Sequence, residues 1–170
     1  MRLGSFAAAG AAALLCCGLV GQVVMAAPPV SLQADGSVQI AARTLRCGDV
    51  RTVLDGRLRN LGISVPDAKL LVMNPALVAR QPGTVRLFVF HHECGHHQVG
   101  ASELGADCWA VRRGVQEGWL NAAGLAQICR SFGNAPASAT HPSAAQRCSN
   151  LNRCFAATAG GKARSLRPKA

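Results

Sequence analysis

Residues 84–97 read TVRLFVFHHECGHH, and this stretch carries the strongest structural pattern in the chain. Thr84 can cap a helix, and the apolar side chains at 87–90 predict that the helix runs on into the histidines. Within it, HECGH at residues 92–96 places two histidines four positions apart. On a helix, side chains at that spacing lie on one face, one turn apart, so both imidazoles can reach a single metal ion.

The glutamate between these histidines predicts a hydrolytic metal site. Glu93 directly follows the first histidine, where its carboxylate lies beside the metal rather than on it. Zinc lowers the pKa of a bound water to about 7, so a carboxylate suffices as the base that removes its proton. We therefore expect His92 and His96 to be ligands of Zn2+, and Glu93 to be the catalytic base.

A third ligand is needed, because a catalytic zinc ion takes three protein ligands and keeps one position open. Glu103 follows His96 by seven positions, and Gly100 between them lets the chain turn. Glu103 is the expected third ligand, and Asp107, four positions further on, is expected to accept a hydrogen bond from a ligand histidine. The alternative for both acids is a solvated face near a helix start, where acidic side chains are favoured.

The other three histidines have less definite positions. His91 and His97 flank the motif and point away from its ligand face, so we expect polar neighbours rather than ligands. His141 stands after a loop, at the mouth of a later helix. Its imidazole could stabilise a developing oxyanion, or it could be an ordinary surface residue, and its position alone does not decide between these.

The N-terminus predicts export. Residues 1–27 carry Arg2 as their single charge, followed by an apolar run that ends in small residues, which is typical of a secretory signal. The expected signal is 1–26, cleaved after Ala26, which implies a periplasmic or secreted protein without stable membrane insertion. The alternative is an uncleaved anchor, since the uncharged run is long enough to span a bilayer.

The cysteines support the same compartment. Removing residues 1–26 leaves six of the eight, and an even number in an exported chain predicts disulfides. Many connectivities are open to six cysteines. Cys108 could face the helix that carries Cys94, so a Cys94–Cys108 bridge is one expectation. Cys148 and Cys154 are expected to pair with other partners rather than with each other.

The formal net charge of +10 comes from scattered arginines and a basic C-terminal end. The chain has only seven aromatic residues and no nucleic-acid-binding motif, so nucleic acid is not an expected partner. We expect a solvated basic surface and a disordered basic tail over 157–170. Anionic envelope polymers are partners that such a charge could attract.

The first third of the remaining domain, 27–156, predicts mainly strands. Apolar residues alternate from Val30 to Ile40 around Asp35-Gly36, which predicts a β-hairpin with a two-residue turn. Residues 49–61 have apolar spacing that favours a helix ending at Gly62. The run 70–73 predicts a strand that stops at Asn74-Pro75.

Further helices follow the histidine motif, which makes the expected fold class α+β. Gly100 should end the motif helix and Ser102 should cap the next one, which runs towards Gly114. Asn121 should cap a helix over 122–132. Pro142 should open a last helix that ends at residue 155.

Three blocks of the sequence resemble a known family. HECGHH at 92–97, ELGADCWA at 103–110 and THPSAAQR at 140–147 are similar to the signature blocks of the bacterial neutral zinc metallopeptidases, which are zincins of the gluzincin kind. The resemblance spans about residues 84–155. It implies a minimal zincin-like domain in which a small N-terminal β-sheet packs on the active-site helix.

The same resemblance implies His92, His96 and Glu103 as zinc ligands, Glu93 as the base and a role in the site for His141. This chain departs from the family in one respect. Only six residues separate the second histidine from the third ligand, fewer than the family usually has, and this compact link is similar to the tight turn of metzincin sites.

The expected function is hydrolysis of peptide bonds in a peptide or protein substrate by an exported zinc enzyme. One alternative is a non-catalytic envelope protein that binds zinc through its histidines, and another is a degenerate zincin that acts as an interaction module. Glu93 favours the enzyme, because a site that only stores metal does not need a carboxylate at that position.

Overall fold

The computed structural model describes residues 30–165, with side chains up to residue 161. The expected signal at 1–26 lies outside this part of the chain. The described elements are the strands β1 Ser31–Leu32, β2 Val38–Ile40, β3 Arg43–Leu45, β4 Arg51–Leu54, β5 Gly62–Val65 and β6 Leu70–Met73, and the helices α1 Pro75–Ala79, α2 Gly83–Val99, α3 Glu103–Gln116, α4 Ala122–Ser131 and α5 Ala144–Ser165. The fold is α+β, as expected. Within the described part of the chain, no helix has both the length and the apolar character needed to cross a bilayer.

The first sheet contains the predicted hairpin, with a longer turn than expected. Strands β1, β2 and β3 form an antiparallel meander, in which Leu32 pairs with Val38. The N–H of Gln33 donates to the carbonyl of Ser37 over 2.8 Å, so three residues rather than two form the turn. Gly36 closes it with a φ of 81°, a conformation that glycine adopts without strain and that three-residue hairpin loops require.

The prediction of a helix at 49–61 was wrong. This segment forms β4, a turn and the approach to β5, in a second sheet with the strand order β4-β6-β5. β4 runs parallel to β6, and β5 runs antiparallel to it. The predicted strand β6 is confirmed, and its Leu71 and Met73 are fully buried. Apolar spacing alone could not distinguish a helix from a strand followed by a turn, and pairing with this apolar strand decides between them.

The helix boundaries around the histidine motif agree closely with the sequence pattern. α2 begins at Gly83, so Thr84 lies inside the helix and does not cap it. α2 ends before Gly100, whose φ of 74° turns the chain. Ser102 then caps α3 by accepting a hydrogen bond from the N–H of Gly105 over 3.1 Å. Asn121 caps α4 in the same way, so both predicted caps are confirmed.

The last helix differs from its prediction at both ends. It begins at Ala144 rather than at Pro142, because Ser143 and Gln146 form a capping box. The Ser143 hydroxyl accepts from the N–H of Gln146 (3.2 Å), and the Gln146 side chain accepts from the N–H of Ser143 (2.9 Å). The helix continues to Ser165, so the tail expected to be disordered from residue 157 is helical that far. Alanine, lysine and arginine in this stretch are good helix formers, whereas Gly160 and Gly161 are not.

Three disulfides join elements that are distant in sequence, namely Cys47–Cys94, Cys108–Cys154 and Cys129–Cys148. The prediction of a Cys94–Cys108 bridge was wrong, because each of these cysteines pairs with another partner. Cys94 belongs to the apolar cluster beneath the sheets, whereas α2 meets α3 through Gly95, at which an added Cβ would lie 3.1 Å from the Ala106 backbone. Cys148 and Cys154 do pair with other partners, as expected. Three such bridges fit an oxidising, extracellular compartment.

Helix α2 lies between the two halves of the core. One side of it contributes Leu87, Phe90 and Cys94 to an apolar cluster with the strands. Another side contributes Val85 and Phe88 to a second cluster with α3, α4 and α5. Because both sides are packed, the rotation of α2 is set, and its His92/His96 face is directed towards an open cleft.

Candidate metal centre

The three expected ligands meet at one point. The Nε2 atoms of His92 and His96, one turn apart on α2, are 3.2 Å from each other. Glu103, the first residue of α3, directs its carboxylate at both, with 3.2 Å from Oε2 to His92 Nε2 and 3.5 Å from Oε1 to His96 Nε2. The turn at Gly100 brings α3 back against α2 so that this contact forms. The structure thus brings together the ligand set that the sequence predicts.

These atoms are close enough together to bind one metal ion. With metal–ligand bonds of about 2.0–2.1 Å, neighbouring ligand atoms of a tetrahedral zinc site lie about 3.3–3.4 Å apart. The separation of 3.2 Å between the two Nε2 atoms is close to this value, and each Glu103 oxygen lies 3.2–3.5 Å from one of the two nitrogens. Two imidazoles and one carboxylate are also a donor set typical of zinc, whereas calcium and magnesium prefer oxygen ligands alone.

The Nδ1 atom of each imidazole, on the side of the ring away from the centre, has a hydrogen-bond acceptor. A proton on Nδ1 leaves Nε2 available to bind a metal ion. His92 Nδ1 lies 2.9 Å from Asp107 Oδ1, and His96 Nδ1 lies 2.9 Å from the carbonyl oxygen of Gly100. Both partners are acceptors, so each Nδ1 carries a proton, and each Nε2 faces the centre, where it can bind a proton or a metal ion. Glu103 Oε2 is buried there, and the His92 imidazole, whose Nε2 is 3.2 Å away, is its neighbour. Nitrogen and oxygen acceptors that converge in this way repel one another unless a proton or a metal ion lies between them.

Asp107 is the predicted outer acceptor, and it is completely buried. Its charge is balanced by Arg147 from α5, whose Nε donates to Oδ2 over 2.9 Å and whose terminal nitrogen donates to Oδ1. Burial raises the pKa of Asp107, but the hydrogen bonds to Arg147 and His92 outweigh it, so the pKa lies below its usual range. Arg147 also approaches His92 Nδ1 at 3.5 Å, too far to replace the closer carboxylate as the partner of that nitrogen.

Arg147 is the functional residue that the sequence pattern did not identify. It stands in the third signature block, and its guanidinium lies over the Phe132 ring, 4.3 Å from the ring centre. A signal was available, because a buried carboxylate that holds a ligand histidine needs a positive partner of its own. Which arginine supplies that charge depends on how α5 packs on α3.

The charges of the centre favour a cation. Burial lowers the pKa of His92, but its hydrogen bonds to Asp107 and Glu103 outweigh this and raise the pKa to about 9. Burial raises the pKa of Glu103, but the hydrogen bond to His92 and the nearby histidines outweigh it, and the pKa lies below its ordinary value. The two carboxylates therefore stabilise positive charge at this point, whether it is carried by a proton or by a metal ion.

Glu93, the expected base, lies beside the three ligands but is not one of them. Burial is the main reason that its pKa is raised above the ordinary value, and the neighbouring His92 and His96 only partly oppose this. Its side chain rests against Gly62 at the start of β5, where an added Cβ would lie 2.9 Å from Glu93 Cγ. The carboxylate is therefore held in a tight space at the wall of the cleft.

His141 lies at the mouth of the same cleft. Its Nε2 is 3.5 Å from Glu103 Oε1, and Thr140 Oγ1 lies 2.8 Å from its Nδ1. The imidazole is 56% exposed, which leaves room for a partner on its open side. The loop before α5 thus brings this residue to the site, as the family resemblance implies.

His91 and His97 lie away from the centre. His91 is buried, donates from Nδ1 to the carbonyl of Leu87 (2.8 Å) and lies beside the ring of Trp119. Burial lowers its pKa, which favours the neutral ring. Neither residue belongs to the ligand group, so they remain neighbours of the site, as expected.

Comparisons of the chain with protein-family models, with curated protein sequences and with solved structures gave no match. The function proposed below therefore rests on the residues and their geometry.

Proposed function

We propose that the protein is an exported, zincin-like zinc hydrolase that cleaves peptide bonds. One observation carries the proposal. Two histidines, each with an Nδ1 proton held by an acceptor, and one carboxylate converge on a point, and a second carboxylate, Glu93, is half-buried beside them without being a ligand.

His92, His96 and Glu103 would hold the zinc ion. When bound there, zinc lowers the pKa of water to about 7 and polarises a carbonyl group. Asp107 holds the His92 ring in place through its Nδ1 proton, and Arg147 keeps that carboxylate charged.

Glu93 supplies the proton transfers of the reaction. Its carboxylate faces the cleft, and burial raises its pKa, which makes it a stronger base than an exposed glutamate. It can accept a proton from the attacking water and return it to the leaving amine. The His141 imidazole, half-exposed beside Glu103, is placed to donate a hydrogen bond to the carbonyl oxygen of the scissile peptide.

The proposal is tested by measuring zinc content and peptide-library cleavage in parallel. The wild-type protein should contain one zinc ion per chain and cleave the library. Glu93→Gln should keep the zinc and lose about 100-fold or more in rate, because only the base is removed. His96→Ala should lose stoichiometric zinc.

The other outcomes are equally informative. Full zinc content in His96→Ala would show that the ligand assignment is wrong. If wild type and Glu93→Gln both bind zinc and neither cleaves any peptide, the hydrolase is refuted, and the non-catalytic zinc-binding protein becomes the better interpretation.

A further inference from the structure

A second cavity continues the cleft beyond Glu93. The cavity over the metal centre has a volume of about 540 Å³, and its neighbour has about 600 Å³. The two cavities are adjacent, because five residues line both of them: Asn60, Gly62, His92, Glu93 and His141. A peptide bound at the metal centre can therefore reach the second cavity.

The rim of this second cavity carries unbalanced positive charge. Arg59, before β5, and Arg80, after α1, both line it and are exposed. Neither guanidinium forms an ion pair or a hydrogen bond with another described residue. The neighbouring Arg57, in contrast, is paired with Asp55. We call this cavity, with Arg59 and Arg80 at its rim, the arginine pocket.

Little negative charge opposes these two arginines. Glu93 is the single acidic residue that lines the arginine pocket within the described part of the chain, and it lies at the boundary with the metal centre. Arg147 also lines the pocket, but its charge is already balanced by Asp107. The pocket therefore has a net attraction for anions, and a guanidinium binds a carboxylate through two parallel hydrogen bonds.

The two arginine-bearing segments are held in a defined relation. Asn74, which is buried, donates from its amide to the carbonyls of Gly56 (3.1 Å) and Leu58 (2.7 Å), just before Arg59. The same side chain caps the start of α1, and Arg80 directly follows the end of that helix. The backbones that carry the two arginines are thus tied together, which reduces the entropy lost when both bind one ligand.

The floor of the arginine pocket is apolar. It includes the buried Val85 and Phe88 and the half-buried Phe132. A ligand that fits both parts has an apolar stem and a terminal carboxylate. In a peptide, this chemistry belongs to a glutamate or aspartate side chain, or to the C-terminal residue with its free carboxylate.

We propose that the arginine pocket binds a carboxylate of the substrate and selects acidic peptides, or peptides that end nearby, for the metal centre. As a statement about cleavage specificity it rests on the proposed hydrolase function. Its binding component does not require catalysis and can be measured separately.

The test uses the full chain carrying Glu93→Gln, so that bound peptides are not consumed, and measures peptide binding by fluorescence anisotropy. Three labelled peptides of equal length are compared. One has internal glutamates and an amidated C-terminus, one has glutamines and a free C-terminus, and one has glutamines and an amidated C-terminus. Arg59→Gln with Arg80→Gln is the test variant. The control variant is Arg112→Gln with Arg153→Gln, which changes the net charge by the same amount as the test variant. These two arginines line a groove between α3 and α5 that shares no lining residue with the cleft.

We expect at least one carboxylate peptide to bind about tenfold more tightly than the neutral peptide, as charged hydrogen bonds of this kind allow. The preference should disappear in the test variant and persist in the control. A preference for the first peptide identifies an acidic side chain as the ligand, and a preference for the second identifies the C-terminus. Equal binding of all three, no measurable binding, or a preference lost equally in the control would overturn the proposal.

Cleavage by the wild-type protein separates this proposal from the proposed function. If the protein shows the arginine-dependent binding preference but cleaves no peptide, the proposed pocket is supported and the proposed hydrolase activity is refuted. If the protein cleaves both carboxylate peptides and the neutral peptide equally well, the hydrolase is supported and the pocket is refuted.

Discussion

Gly62→Ala should impair catalysis without touching a metal ligand. Gly62 is the first residue of β5, and its φ lies outside the left-handed region, so alanine fits its backbone. The added methyl group, however, would lie 2.9 Å from Glu93 Cγ and 3.4 Å from its carboxyl carbon. Glu93 must move, because it fills the space that the methyl group needs.

The size of the effect follows from this distance. Carbon atoms in relaxed contact are about 3.5–4.0 Å apart, so the glutamate side chain has to retreat by roughly 0.6–1 Å. A misplacement of about 1 Å in a catalytic group can cost about 100-fold in rate. We expect kcat to fall about 10- to 100-fold, which is about 1.4–2.7 kcal/mol in activation free energy.

The assay compares kcat, zinc content and thermal stability with those of Gly56→Ala. Gly56 lies in the turn before β5, has no atom within 4 Å of an added Cβ and also lacks a positive φ, so it is a matched control. Zinc content should be unchanged in both variants. A Gly62→Ala protein with the kcat of wild type would refute the reasoning, because the displaced Glu93 could not then be the catalytic base.

Two further predictions concern the support of the site. Asp107→Asn should weaken zinc binding about 10- to 100-fold in a chelator competition, because the carboxylate that orients His92 is lost and Arg147 is left without its counter-ion. An unchanged zinc affinity would show that this carboxylate does not orient His92. Replacing Cys47 and Cys94 by serine should lower the free energy of unfolding, measured by denaturant titration, by about 2–4 kcal/mol, because the disulfide spans 47 residues. A loss below about 1 kcal/mol would contradict a structural role for this disulfide.

The parts of the fold that depend on neighbouring residues were predictable. The helix of the histidine motif, its end at Gly100, and the caps Ser102 and Asn121 all follow from interactions within a few positions. The capping box at Ser143 is equally local, and it could have corrected the predicted start of α5 at Pro142.

The segment 49–61 shows where local reasoning is insufficient. Its apolar spacing fits a helix, but β4 is stabilised by backbone hydrogen bonds to β6, almost twenty residues later. The disulfide partner of Cys94 was missed for a similar reason, because Cys47 reaches it only once the strands pack under α2. Strand pairing and bridge formation both depend on tertiary contacts that no short window of sequence contains.

By itself, the sequence determined which side chains form the centre. Spacing on one helix aligns His92 and His96, and a glycine turn before a capped helix makes Glu103 available, because ligand spacing of this kind is a local property. The tertiary structure alone decided what surrounds them. It placed Gly62 against Glu93 and Arg147 on Asp107, and it brought Arg59 and Arg80 together at the rim of the cleft, because residues far apart in the chain become neighbours only when the strands and helices pack.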